Sequence, residues 1–117
     1  MFEKLEVYQK AISFADQIAA LTQEFPRGYS FLVDQLNRAA LSIATNLAEG
    51  NGRFTKPDRK NFFTIVRGSA QECVPLLEIA RRRGLLNEPK HEALRQDLET
   101  IAKMVSGLIN GLEKREA

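Results

Sequence analysis

The chain has 117 residues, 44% hydrophobic and 27% charged, the proportions of one ordinary globular domain able to bury about two thirds of its unfolded surface. With 17 Lys and Arg against 15 Asp and Glu the formal charge is +2, too balanced for an obligatory nucleic-acid footprint, so any RNA contact must be local. The one cysteine, Cys73, excludes an intramolecular disulfide, MFEKLEVYQK has no apolar signal core, and polar side chains interrupt every hydrophobic run before membrane-spanning length. A cytoplasmic protein without membrane contact is expected.

Four segments carry helical periodicity and none alternates as a strand does. The first, residues 5 to 24, has a stripe of Tyr8, Ala11, Ile12, Ala15, Ile18 and Ala19 that Val7, Phe14 and Leu21 widen to roughly 200°. FPRGY, with Pro26 and Gly28, ends it. The second, residues 30 to 49, packs Leu32, Val33, Leu36, Ala39, Ala40, Ile43, Ala44 and Leu47 inward. GNGRFTKP follows, and Thr55 is placed to cap the third segment with Pro57 in its first turn.

That third segment, residues 57 to 83, is again wide: Phe63, Ala70 and Val74 flank the stripe of Phe62, Ile65, Val66, Cys73, Leu76, Leu77 and Ala80. Pro75 should bend it. After RRGLLNEP, where Asn87 can cap, the fourth segment spans residues 89 to 114 with a narrower stripe from Leu94 to Leu112. Three short connections predict an all-α, antiparallel up-down four-helix bundle, a single domain over residues 1–117. The surplus apolar width of helices one and three, at Val7, Phe14, Leu21, Phe63 and Val74, favours an oligomer interface over uneven packing.

Beside the core stripe of the second helix runs a polar line, Gln35, Arg38, Ser42, Asn46 and Glu49. The third helix has a counterpart in Ser69 and Glu72. Antiparallel packing of the two should bring together residues whose numbers sum to about 107 to 111, which sets Arg38 against Glu72 as a buried or half-buried pair and Ser42 near Gly68 or Ser69. Gly68 would permit close approach at a helix cost of about 1 kcal/mol. This seam reads either as a register device or as a partner-binding surface. At its lower end, NLAEGNGR supplies Gly50 and Gly52 for a chain reversal and Arg53, which points inward to Glu49 or outward beside Lys56.

No catalytic set is present. His91, the lone histidine, lies among charged residues and is expected to be exposed; Cys73 sits mid-stripe as a core thiol; no metal, cofactor or phosphate-loop pattern occurs. Arg81, Arg82 and Arg83 complement the dipole at the end of the third helix. Functionally, they could join Arg53, Lys56, Arg59, Lys60 and Arg67 as RNA contacts.

FEKLEVYQKAISFA, QLNRAALSIATNLAEGNGR, FFTIVRGSAQE and MVSGLINGL, in this order and spacing, resemble the small bacterial four helix bundle proteins encoded in intervening sequences of 23S ribosomal RNA genes, often labelled S23 ribosomal proteins. The resemblance covers nearly the whole chain. It implies a ring-like homopentamer, an assembly also seen in the similarly folded accessory protein of diversity-generating retroelements, which binds nucleic acid through a strongly basic surface. Matching positions are Arg38, Asn46, Glu49, Gly50, Gly52, Arg53, Gly68, Ser69 and Glu72. The expectation is a non-enzymatic oligomeric scaffold associated with structured RNA, with no small-molecule substrate; the alternative is a protein-interaction adaptor without nucleic acid.

Overall fold

The computed structural model describes residues 5–116; residues 1–4 and 117, included in the expected domain, lie outside the described residues. Four helices form, α1 (Glu6–Gln23), α2 (Ser30–Asn51), α3 (Lys56–Arg82) and α4 (Glu88–Glu116), with no strand among the described residues. Each packs on its chain neighbours and α4 closes back on α1, leaving α1 and α3, like α2 and α4, on the diagonals. The antiparallel bundle measures 50 × 22 × 20 Å.

Apolar residues spaced alternately by three and four put one stripe of each helix on the bundle axis. In α4 these are Leu94, Leu98, Ile101, Val105, Ile109 and Leu112, and in α3 Val66, Ala70, Cys73, Leu77 and Ala80, all buried. Each large side chain among them contributes roughly 1.5–3 kcal/mol by leaving water. The caps are as expected: Thr55 Oγ1 accepts from Asp58 N at 3.3 Å, and Asn87 Oδ1 from Lys90 N at 2.9 Å. At the end of α3, Gly84 at φ 74° allows Leu85 N to reach Ala80 O at 2.9 Å and Gly84 N to reach Arg81 O at 3.0 Å, a Schellman closure. Gly28, at φ 104°, performs the corresponding reversal between α1 and α2.

The wide stripe of α1 has a different use from the one expected. Val7 and Phe14 are 4% and 0% exposed, and Phe63 on α3 is 3% exposed. All three belong to the core rather than to an oligomer interface. A helix in a closed ring of four faces two neighbours as well as the axis, and that geometry consumes the extra width. Leu21 is half-buried against the same core, so of the five only Val74 stays exposed.

The glycines also redistribute. Helix α2 continues through Gly50, and no left-handed residue occurs between α2 and α3, since Gly52 has φ −85°. Gly50 is needed for space: a Cβ there would lie 2.7 Å from Phe63 Cε1 and 3.1 Å from Phe62 Cβ. Gly68, expected to admit a neighbouring helix, instead faces open space. Gly50→Ala should therefore overpack the α2–α3 contact and destabilise by about 1–3 kcal/mol, whereas Gly68→Ala should stabilise by about 0.5–1 kcal/mol. Urea unfolding of both variants checks the opposite signs.

Candidate functional site

The α2–α3 seam is held at its middle by small polar side chains. Ser42 Oγ and Ser69 Oγ share a hydrogen bond at 2.7 Å, and Asn46 Nδ2 donates to Ser42 Oγ at 3.0 Å and to Ser42 O at 2.8 Å. All three are half-buried. Their numbers place the register at the upper end of the expected range, 42 opposite 69. Arg38 and Glu72, however, are exposed, and no ion pair joins them among the described residues. Glu72 is rotated about 60° outward from Ser69 on α3, and Arg38 about 40° outward from Ser42 on α2, so both charges point away from the contact. Gln35 is exposed as well.

At the lower end Arg53 turns back onto the fold. Its Nη2 donates to Glu49 Oε2 at 3.0 Å, and its guanidinium lies 4.7 Å over the Phe62 ring. The exposed ion pair contributes about 0.3–0.5 kcal/mol and the ring contact about 0.5–1 kcal/mol. Together they clasp the turn to α2.

Most of the candidate RNA-contacting side chains are engaged within the fold. Arg59 donates from Nε to Gly50 O and from Nη2 to Asn51 O, both at 3.4 Å, covering carbonyls at the end of α2. Lys60 Nζ lies 2.8 Å from Glu113 Oε1, and Arg67 Nη1 reaches Ser106 Oγ at 3.5 Å, each tying α3 to α4. Arg81 binds Glu78 through two nitrogens at 2.8 and 2.7 Å and Glu88 at 2.7 Å, Arg82 meets Glu78 at 2.9 Å, and Arg83 Nε donates to Tyr29 Oη at 3.3 Å. Lys56 has no hydrogen bond or ion pair among the described residues.

Glu78 is a hub that sequence reasoning missed. Hydrogen bonds from Arg81 and then Arg82 hold its carboxyl down at about 2, and hydrogen bonds to Glu78 and then Glu88 raise Arg81. His91, expected to be exposed, is 9% exposed and places Nε2 3.6 Å from Glu78 Oε1. The signal was available: 91, 94, 98 and 101 continue the core spacing of α4. Cys73 is buried as expected, and burial, with the Glu72 charge secondary, pushes its thiol up to about 12. Such a thiol is inert. Among the described residues no group of three or more His, Cys, Asp or Glu is placed to hold a metal.

Two further polar contacts join α1 to its neighbours. Asn37 Nδ2 donates to Thr22 Oγ1 at 2.9 Å across α1–α2, and Lys90 Nζ donates to Gln17 Oε1 at 3.1 Å across α1–α4. Between α3 and α4 an open groove of about 260 Å³ is lined by Ala70, Val74, Leu98 and Ala102, with Arg95 and Glu99 at its rim.

Because the seam rests on the serines, Ser42→Ala should cost about 1 kcal/mol by leaving Ser69 and Asn46 short of a partner, while Arg38→Ala should change stability by less than about 0.5 kcal/mol; chemical denaturation distinguishes them. Glu78 gives a pH dependence. Its carboxyl is depressed from an ordinary 4.5 to about 2 in the folded state, so the stability from its pairs is fully present above the unfolded value and is lost as pH falls toward 2. The stability difference between wild type and Glu78→Gln should shrink from about pH 5 to about pH 2, as measured by urea unfolding across that range.

Comparison with known proteins follows the same architecture. The family model for the 23S rRNA-intervening sequence protein matches residues 3–107, a span that contains the whole seam. A crystal structure from Bacteroides thetaiotaomicron, described as a protein with unknown function from the S23 ribosomal protein family, is similar with a TM-score of 0.77 and 24% sequence identity, covering 88% of this chain and 97% of that chain. That similarity shows a shared fold. No curated protein sequence matches the chain. By the family match over most of its length, the chain belongs to the 23S rRNA-intervening sequence protein family.

Proposed function

We propose that the protein is a non-enzymatic, self-assembling scaffold that joins copies head to tail into a closed ring, the homopentamer implied by the family resemblance, and serves as a cytoplasmic protein adaptor. The observation that carries this reading is that exposed apolar residues occur on two opposite faces of the bundle, besides Phe31, Ile65 and Ile79, which are also exposed on α2 and α3. Ile12 and Leu41, 43% and 55% exposed, lie on the α1–α2 side, with Leu41 one turn from the Asn37 that bonds α1. Val74, 39% exposed, sits over the α3–α4 groove. A contact between two different patches of one molecule is heterologous, and it closes into a ring when the rotation permits.

The charge arrangement supports a protein partner over structured RNA. Of the eight basic side chains considered for RNA, Arg53, Lys60, Arg81 and Arg82 lie against Glu49, Glu113, Glu78 and Glu88. Opposite charges within hydrogen-bonding distance cancel most of the local field that would attract phosphate. No helix of the described residues is long and apolar enough to cross a membrane.

Light scattering tests the assembly. Wild type should give a multiple of the monomer mass, and Leu41→Glu and Val74→Glu should each dissociate it. An equimolar mixture of the two variants retains one good copy of each face and should form a heterodimer that cannot close. A monomeric wild type at micromolar concentration, or a mixture that stays monomeric, would refute the ring. Protein that co-purifies with RNA released by salt would restore the RNA-scaffold reading.

A further inference from the structure

Three residues along the α2–α3 seam have no use inside the monomer. Arg38 and Glu72 are exposed, with no ion pair or side-chain hydrogen bond among the described residues, and Gly68 faces open space on a helix whose propensity it lowers. Around them lie Phe31, 60% exposed, and Ile65 and Ile79, 42% and 43% exposed. This face is distinct from the α1–α2 side that carries Ile12 and from the α3–α4 groove under Val74.

The Ser42–Ser69 bond fixes the heights of these residues on the two antiparallel helices. At 1.5 Å of rise per residue, Arg38 and Glu72 both lie about 4.5–6 Å above it, Phe31 and Ile79 both about 15–17 Å above it, and Thr45 and Ile65 both about 4.5–6 Å below it. At each level two unlike groups stand side by side: an aromatic beside an aliphatic, a cation beside an anion. Most of this face runs from mid-bundle to the upper end, whereas residues 5 and 116, where the described chain begins and ends, lie at the lower end.

Rotation by 180° about an axis parallel to the seam keeps height and exchanges left for right. It therefore sets each group over its unlike neighbour's counterpart at the same level, the condition for an isologous contact. We infer that two copies of this chain pair through the α2–α3 face, α2 of each lying against α3 of the other, with Arg38 meeting Glu72 and Phe31 meeting Ile79 twice over. The apolar pairs supply the burial, Gly68 lets the backbones approach, and the charges fix the register and reject other alignments. The face is roughly 22 Å long and two helices, roughly 20 Å, wide, which is small for a stable protein contact. The dimer is accordingly a reversible one, and it leaves both lateral faces free.

Sedimentation equilibrium up to millimolar concentration tests it, in a Val74→Glu background that removes the proposed lateral contact. This parent protein should dimerise. Added to it, Arg38→Glu or Glu72→Arg sets like charges opposite each other twice and should weaken the dimer by about tenfold or more. An equimolar mixture of the two restores both pairs and should yield a heterodimer. Gly68→Leu, which has room in the monomer, should also abolish pairing. Circular dichroism should show all of these exposed-site variants folded. A monomeric parent, charge variants that dimerise as the parent does, or a mixture that stays monomeric overturns the pairing. So does RNA binding strengthened by Glu72→Arg in a protein that forms no dimer. A dimeric wild type supports the pairing while refuting the ring, so the two proposals fail separately.

Discussion

The close approach of α2 and α3 around Gly50 organises the rest of this bundle. With only hydrogen at that position, the ring of Phe63 and the Cβ of Phe62 lie against the α2 backbone, and the two helices run on from there close enough for two serine hydroxyls to bond directly. The contact also sets the register: once 42 faces 69, Arg38 and Glu72 are carried outward and cannot form a buried pair. The polar seam continues that contact upward, and its small half-buried groups are mutually satisfied.

Among the described residues most ion pairs are local to one helix or its adjoining turn, and the rest join α3 to α4. Glu78 gathers Arg81, Arg82 and His91 at the upper end, with Glu88 sharing Arg81 across the α3–α4 turn. Lys60 and Glu113 make the corresponding link near the lower end. A chain with nearly equal numbers of acidic and basic residues can pair them locally and leave little net field. The apolar residues outside the core behave differently. Ile12, Leu41 and Val74 each leave about two fifths or more of their surface in water, and they motivate the proposed contacts between copies.

Several sequence expectations were correct for reasons that are local. Helix boundaries follow from stripe periodicity and from caps that need only neighbouring residues, as at Thr55 and Asn87. The burial of Cys73 follows from its place in a stripe. The misreadings share another cause. Periodicity ranks residues around one helix but does not say how many neighbours that helix will have, so Val7, Phe14 and Phe63 looked superfluous until the ring of four was closed. Gly50 looked like a helix stop because glycine has both conformational and steric uses, and only the position of Phe63 decides between them. His91 was misassigned because its charged sequence neighbours lie on other faces of α4.

By itself the sequence determined an all-α chain of four amphipathic helices, antiparallel through short turns, and the approximate register of the second helix on the third. These depend on hydrophobic spacing and connection length, which are written along the chain. Only the tertiary structure decided that Arg53 turns inward to Glu49 and Phe62, that Glu78 collects residues from two helices, and which apolar side chains stay in water. Each of those outcomes depends on distances between segments far apart in sequence, and a difference of one helical position exchanges a buried group for an exposed one.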